Sequence, residues 1–132
     1  MKNRVAVMVD GDNVSPAHAA RIMRETAGRG QIAFARVYGA MPTNSAWHDA
    51  KNFHLVHPGR GRNATDLLMA IDAVEFALTD VFDAIILASS DERLSHLAQR
   101  LREYGKEVHG LGDADTSFSL RRACSTFQQF PE

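Results

Sequence analysis

Three aspartates of the sequence occupy positions at which a protein could bind a divalent cation, and two of them follow strand-like runs. Asp10 follows the apolar run of residues 5–9, and Asp91 comes shortly after the apolar run of residues 84–88. Such continuous runs are typical of parallel strands that are covered on both faces. Sites in parallel sheets lie beyond the carboxyl ends of the strands, where the strand order changes direction. If the two runs form neighbouring strands, both carboxylates face one crevice.

Asp66 is the third aspartate, and it lies near the start of a predicted helix. Apolar residues that recur at helical spacing form the predicted packed face of this helix: Leu67, Ala70, Ile71, Val74 and Leu78. Asp66 lies about 105° from the centre of that face, on a flank of small alanines that leaves room for an ion and its waters. Asp72 falls among polar residues and is interpreted as a solvent-facing residue.

Carboxylates that converge at the end of a sheet favour a hard cation, Mg2+ or Mn2+. The single cysteine, Cys124, excludes a zinc site built on two or more cysteines of this chain. Each acid also has a structural interpretation that stays open. Asp10 and Asp91 are placed like helix N-caps, and Asp66 is placed to stabilise its helix N-terminus electrostatically, with Asn63 as the cap.

Three further residues are candidates for contact with a phosphate. Asn13 follows the first acid and is suited to positioning a metal-bound water or a phosphate oxygen, although asparagine at this place is also a common turn former. Arg60 and Arg62 lie in a Gly-rich loop just before Asp66. They are suited to an RNA backbone, and the alternative is an ordinary solvated loop.

Strand and helix patterns alternate along the whole chain. Strands are predicted at residues 5–9, 32–38, 53–57, 84–88, 107–111 and near 127, and helices at 15–28, 46–51, 63–78, 94–105 and 117–123. This alternation predicts an α/β fold with three layers, α/β/α, and a mainly parallel, Rossmann-like central sheet. We expect one domain over residues 1–132.

Composition limits the classes of function. The chain has 132 residues, of which 45% are hydrophobic and 23% charged, and 15 basic against 16 acidic residues give a formal net charge of -1. These values exclude a protein whose whole surface is basic and binds nucleic acid by its net charge. The amino-terminal apolar run is too short for a signal peptide, and no later run is long enough to span a bilayer. We therefore expect a cytoplasmic protein with no membrane partner.

Five segments occur in an order that resembles the NYN domain of the PIN-like ribonuclease superfamily, in its bacterial limkain/LabA-type branch. They are residues 7–13 (VMVDGDN), 62–66 (RNATD), 89–91 (SSD), 100–110 (RLREYGKEVHG) and 119–124 (SLRRAC). The resemblance implies a PIN-like α/β/α fold and metal-dependent hydrolysis of RNA, with Mg2+ or Mn2+ as cofactor. The acidic site of the family maps onto Asp10, Asp66 and Asp91 with Asn13 beside them, and Asp12 is a secondary candidate.

The resemblance also bears on partners and on Asp72. It implies single-stranded RNA as the partner. It also suggests two protein partners. One is a second copy of this chain in a homodimer, and the other is a separate chain that carries an RNA-binding module of the LOTUS type. Many relatives carry an aspartate where this chain has Asp72, so the solvent-facing interpretation of that residue stays open.

One position departs from the family pattern. The last acidic motif of the family commonly reads Ser-x-Asp-x-Asp-Phe, and here Arg93 stands at the second acid. Glu92 or Asp113 then supplies the missing carboxylate, or the enzyme uses one metal with Arg93 gripping phosphate, or hydrolysis is lost and an RNA-binding or assembly module remains. We expect an active ribonuclease. A remote alternative is a haloacid dehalogenase-like phosphatase, because Asp10 and Asp12 resemble its Asp-x-Asp opening.

Overall fold

The computed structural model describes residues 3–61 and 63–131, in which six strands and four α-helices alternate. The elements are β1 Arg4–Asp10, α1 Ala19–Arg29, β2 Gln31–Tyr38, β3 His54–Val56, α2 Ala64–Leu78, β4 Ala84–Ala88, α3 Ser95–Glu103, β5 Glu107–Gly112, α4 Phe118–Ala123 and β6 Thr126–Gln129. Short 3-10 helices span Pro16–His18, Ala46–Asp49 and Glu92–Leu94. The predicted alternation is confirmed, although the predicted helix at 46–51 is a single 3-10 turn.

The six strands form one sheet in the order β3-β2-β1-β4-β5-β6, and every neighbouring pair is parallel. The chain builds outward from β1 to β3 and then crosses back to place β4 on the other side of β1. The strand order therefore reverses between β1 and β4. These are the two strands that precede Asp10 and Asp91, so both acids lie at the switch point, where sites in such sheets are found.

Helices cover both faces of the sheet, which gives the predicted three layers. Ala6 and Met8 of β1 pack in one core with residues of α2, α3 and α4. The alternate β1 residues Val5, Val7 and Val9 pack in a second core with Ile22 of α1 and with Trp47. A side-chain period of two along each buried strand produces this division.

The predicted packed face of α2 is wrong for its large residues. Leu67, Ile71 and Leu78 are 61%, 61% and 66% exposed. The residues that α2 buries are Met69, Ala73 and Ala77. Helical spacing alone did not distinguish the two apolar stripes, and the stripe of Met69 and the alanines is the one that packs on the sheet, in one cluster with Met8 and Tyr38.

The solvent-facing interpretation of Asp72 is also wrong. Its side chain is 16% exposed and its Oδ2 accepts a hydrogen bond of 2.7 Å from the Tyr38 hydroxyl. Arg36 Nη1 lies 3.4 Å from the same oxygen. Asp72 therefore joins α2 to β2.

The predicted absence of a membrane span agrees with the helices in residues 3–61 and 63–131. None of them is long and apolar enough to cross a bilayer.

Candidate active site

Asp10 ends β1 with an almost fully buried carboxylate, which is 1% exposed. Its Oδ2 accepts hydrogen bonds from Asn13 Nδ2 at 2.9 Å and from the Ser89 hydroxyl at 3.3 Å. Its Oδ1 is buried and has no hydrogen-bond partner among the described residues. Burial raises the pKa of Asp10, and Asn13 opposes that rise. A buried carboxylate oxygen without a partner is rare in proteins and calls for an explanation such as a bound ion.

The position of Asp10 depends on a close approach of β1 to β2. The Gly11 amide donates to the Tyr38 carbonyl at 2.8 Å, which continues the pairing of the two strands one residue beyond β1. A Cβ at Gly11 would lie 2.5 Å from Val37 Cγ1. A larger residue at position 11 would therefore require Val37 and Met41 or the backbone beside Asp10 to shift.

Asp66 lies on the buried face of α2, not on a flank of it. At about 100° per residue, it falls within about 60° of Met69 and Ala73 on the helical wheel. Its side chain is 13% exposed. Burial and the neighbouring Asp91 raise the pKa of Asp66 to about 6. Asn63 has a left-handed backbone conformation and makes no capping hydrogen bond with its side chain, so its predicted capping role is wrong.

Asp91 is both an N-cap and a member of the acidic cluster. Its Oδ1 accepts a hydrogen bond from the backbone amide of Arg93 at 3.0 Å, which caps the 3-10 helix Glu92–Leu94. Its Oδ2 lies 2.7 Å from Arg93 Nη2. These contacts hold the pKa of Asp91 at about 2, below its usual range. The capping interpretation of this residue is therefore correct without excluding a functional one.

Arg93 is the cation that the acids contact in this structure. Its Nη2 is 2.7 Å from Asp66 Oδ2 and 2.7 Å from Asp91 Oδ2, and its Nη1 donates to Asn63 Oδ1. Asp66 Oδ2 makes no well-directed hydrogen bond, so its contact with Arg93 is an ion pair. The guanidinium thus bridges two of the three candidate ligands, and its side chain is 53% exposed.

The acids and Arg93 line one pocket of about 190 Å³, which we call the acidic pocket. The charged residues that line it are Asp10, Asp12, Asp66, Asp91 and Arg93, and Asn13 lines it beside Asp10. Within residues 3–61 and 63–131, no three His, Cys, Asp or Glu side chains already surround a common ion position. A metal ion would therefore require a shift of side chains, with Arg93 the first to move because it bridges Asp66 and Asp91.

Asp12 lines the acidic pocket but uses both carboxylate oxygens in other contacts. Its Oδ1 accepts from the Ala40 amide at 2.9 Å, and its Oδ2 accepts from the Thr65 hydroxyl at 2.8 Å. Asp12 therefore ties the end of β1 to the residues after β2 and to the first turn of α2. This geometry suits a residue that positions the acidic pocket.

Three further candidates, Glu92, Asp113 and Arg60, do not line the acidic pocket. Glu92 and Asp113 are exposed, and Asp113 Oδ1 accepts a hydrogen bond of 2.9 Å from the Asp115 amide. Arg60 is exposed in the loop before α2. Arg62 lies outside the described residues.

Ser89 contacts the candidate site, and sequence reasoning assigned it no role. It is buried directly after β4, and its hydroxyl donates to Asp10 Oδ2 while accepting a hydrogen bond of 3.1 Å from the Asp91 amide. One hydroxyl thus connects the two acids that end neighbouring strands. The available signal was its place as the first residue after a buried strand, two residues before an acid.

The sequence profile of the NYN domain matches residues 4–130. The chain belongs to the NYN domain family. NYN domains are part of the PIN-like superfamily and are generally nucleases. Membership of this family gives no support to the phosphatase alternative.

The fold of this NYN domain is similar to that of a solved structure. The crystal structure of a protein of unknown function from Vibrio parahaemolyticus matches with a TM-score of 0.78 and 20% sequence identity, over 99% of this chain and 94% of the other. At this identity the likeness concerns the fold alone. No curated protein is significantly similar in sequence.

Proposed function

We propose that this NYN domain hydrolyses RNA phosphodiester bonds with the help of Mg2+ or Mn2+ held in the acidic pocket. The observation that carries the proposal is the buried Asp10 Oδ1, which has no hydrogen-bond partner in residues 3–61 and 63–131, on a side chain that lines one pocket with Asp66 and Asp91. Membership of a family whose members are generally nucleases supports the reaction class.

The donor set fits a divalent cation of this kind. Asp10, Asp66 and Asp91 offer carboxylate oxygens, which Mg2+ and Mn2+ prefer, and these three residues would hold the ion. A bound ion would lower the pKa of a water and offset the negative charge that develops on the phosphoryl group.

The other residues of the acidic pocket orient the acids and the strand. The hydrogen bonds from Asn13 and Ser89 fix Asp10 Oδ2 and leave Oδ1 available as a ligand. Arg93 must release Asp66 or Asp91 when a cation enters. Its guanidinium would then contact a phosphate oxygen, for which its planar pair of donors is suited. Arg60 and Arg62, in the loop before α2, are proposed contacts for the RNA backbone.

A cleavage assay tests the proposal. We expect a labelled single-stranded RNA to be cleaved in Mn2+ or Mg2+ and to stay intact in EDTA. Asp10→Asn should lower the rate by about a hundredfold or more, because it weakens the binding of the cation that offsets the charge on the reacting phosphate. Asp115→Asn, an exposed acid outside the acidic pocket, should cleave like the wild type. If Asp10→Asn cleaves at the wild-type rate, the activity belongs to another site or to a contaminant.

The bridge made by Arg93 favours a second function, RNA binding without hydrolysis. The guanidinium contacts both Asp66 and Asp91, so in this second function it takes the place of the metal as an internal cation. Its signature would be RNA affinity with no cleavage in either metal. Arg93→Asp restores the acid of the family pattern, so it should then create or increase turnover. An already measurable turnover that this change leaves untouched would exclude the second function.

A further inference from the structure

A larger groove lies beside the acidic pocket, between α2 and α3. Its volume is about 510 Å³, within the range of roughly 300–1,000 Å³ that is usual for ligand sites. We call it the α2/α3 groove. Its apolar lining comes from Leu67, Ala70, Val74, Leu97 and Tyr104.

The α2/α3 groove and the acidic pocket are adjacent. Asn63, Asp66 and Arg93 line both of them, and Arg93 contacts the other two residues, so the three form a shared wall. A strand whose phosphate lies in the acidic pocket would place its adjacent unit in the groove once Arg93 has withdrawn from Asp66, which is the movement that entry of a cation also requires.

The charges at the groove suit a polyanion. Arg93 and Arg100 both line it, and Asp66 is its single acidic lining residue among the residues described. The side chain of Arg100 is 61% exposed, so its guanidinium can reach a ligand while it pairs with Glu103. Arginine planes and aromatic rings are the usual surfaces on which unpaired bases stack. Tyr104, which is 38% exposed, supplies such a ring.

Leu67 is exposed in a way that the packing of this chain does not explain. It is 61% exposed at the mouth of a pocket, although it belongs to an apolar stripe of a helix whose other face forms the core. Exposed apolar surface that lines a concave site is a mark of ligand binding. A flat base laid against Leu67 and Tyr104 would cover that surface.

We infer that the α2/α3 groove binds one unpaired nucleobase of the RNA strand, next to the phosphate held in the acidic pocket. The inference rests on the proposed function and adds to it where the base beside the reacting phosphate lies. A base in a duplex cannot enter, because its faces are already stacked on its neighbours. An RNA base suits the groove better than a protein partner does, because the groove adjoins the acidic pocket and two arginines line it.

The test measures binding separately from cleavage. The probes are fluorescent single-stranded RNA octanucleotides, one intact and eight with a single abasic nucleotide at successive positions, titrated with the full chain in Ca2+ and followed by anisotropy. We expect loss of the base at one position to weaken binding roughly tenfold, and losses elsewhere to have less effect. Leu67→Ser and Tyr104→Ala should each remove this dependence on position.

Ile71→Ser is the matched control, because Ile71 has the same 61% exposure on the same helix and does not line the groove. It should keep the wild-type dependence on abasic position. The inference is wrong if the intact octanucleotide does not bind, if all abasic positions bind alike, or if Leu67→Ser and Ile71→Ser have equal effects. It is also wrong if the wild type sediments as a dimer that both serine variants dissociate, since a second copy would then cover the apolar stripe.

The two proposals fail in different ways. A chain that distinguishes abasic positions but cleaves no RNA in Mn2+ would contradict the hydrolysis and support the base-binding groove. A chain that cleaves RNA and binds every abasic probe equally would contradict the groove alone.

Discussion

The buried carboxylate of Asp10 lowers the stability of the fold, and we attribute its presence to function. Its carboxylate is buried, its pKa is raised, and one oxygen has no partner among the described residues. A residue selected only for packing would not carry a buried charge at the end of a core strand. The position of Asp10 after an apolar run could be predicted from the sequence, because it depends only on backbone order.

The stability of Asp10→Asn without metal tests whether the buried charge of Asp10 destabilises the fold. The neutral amide keeps an acceptor for Asn13 and Ser89 and removes the buried charge, so we expect the variant to be more stable than the wild type by about 1 kcal/mol. Thermal unfolding in EDTA measures the change, with Asp115→Asn as the exposed control. An unchanged or lower melting temperature would show that the carboxylate is satisfied in a way that the structure does not describe.

The identity of Arg93 could be read from the sequence, but its contacts could not be predicted. The sequence indicates that a cation replaces a family acid, but three outcomes remained open. The structure adds that the guanidinium contacts Asp66 and Asp91 together. That contact depends on side-chain rotamers and on the approach of α2 to the end of β4, and neither can be read from spacing along the chain.

At the scale of elements, α2 holds the most informative difference between expectation and structure. The helix carries two apolar stripes, one of large aliphatic residues and one of Met69 with several alanines, which has Asp66 at its amino-terminal end. Hydrophobic spacing favoured the first as the core face, but the second packs on the sheet. Because the wrong stripe was taken as the core face, Asp66 was predicted on the flank of the packed face, whereas it lies near the centre of the buried face. The strands were easier to predict, because a buried parallel strand is a continuous apolar run.

A pair of variants tests the orientation of α2. Ala73→Leu adds volume between the helix and the sheet, and we expect it to lower the free energy of unfolding by about 1–3 kcal/mol. Ile71→Ala changes the side chain by the same number of carbon atoms but at an exposed position, and we expect a change within about 0.5 kcal/mol. Urea unfolding measures both. The reverse ranking would mean that the aliphatic stripe forms the core face after all.

At the scale of the whole molecule, the net charge of -1 conceals an uneven distribution. Setting aside Asp10, Asp66 and Asp91 from the 16 acidic residues leaves 13 against 15 basic ones. A cation in the acidic pocket would therefore leave a mildly basic molecule. The near-neutral total limits the affinity for RNA and does not exclude RNA as a partner.

The arrangement of pockets predicts cleavage within a strand. The α2/α3 groove adjoins the acidic pocket through Asp66 and Arg93, and a further pocket of about 450 Å³ adjoins it through Asp12 and Asn13. A strand can thus continue on both sides of the cleaved phosphate. We expect a circular single-stranded RNA to be linearised in Mn2+, as seen by its gel mobility. Cleavage of linear RNA with the circle left intact would indicate that a free end is required.

A cluster of charges at the opposite end of the sheet predicts how stability depends on pH. Arg4, at the start of β1, donates to Asp83 through its backbone amide at 2.8 Å and through Nη2 at 2.9 Å. These hydrogen bonds lower the pKa of Asp83 to about 2. Because the folded pKa lies below the unfolded value of about 3.9, the contribution is present above pH 4 and is lost as the pH falls toward 2.

Asp83→Asn should therefore be less stable than the wild type at pH 6, and the difference should shrink at pH 3. Urea unfolding at the two pH values measures it, with Asp115→Asn as a control expected to differ little from the wild type at either. A difference that is the same at both pH values would mean that the Arg4–Asp83 contact does not depend on the charge of the aspartate.

The most direct test of the central claim, that Asp10, Asp66 and Asp91 together hold a divalent cation, is anomalous diffraction from a crystal soaked in Mn2+. We predict an anomalous peak within ligand distance of carboxylate oxygens from all three residues, with the Arg93 guanidinium withdrawn from Asp66 or Asp91. Absence of a peak in the acidic pocket, with Arg93 still bridging the two acids, would contradict the claim.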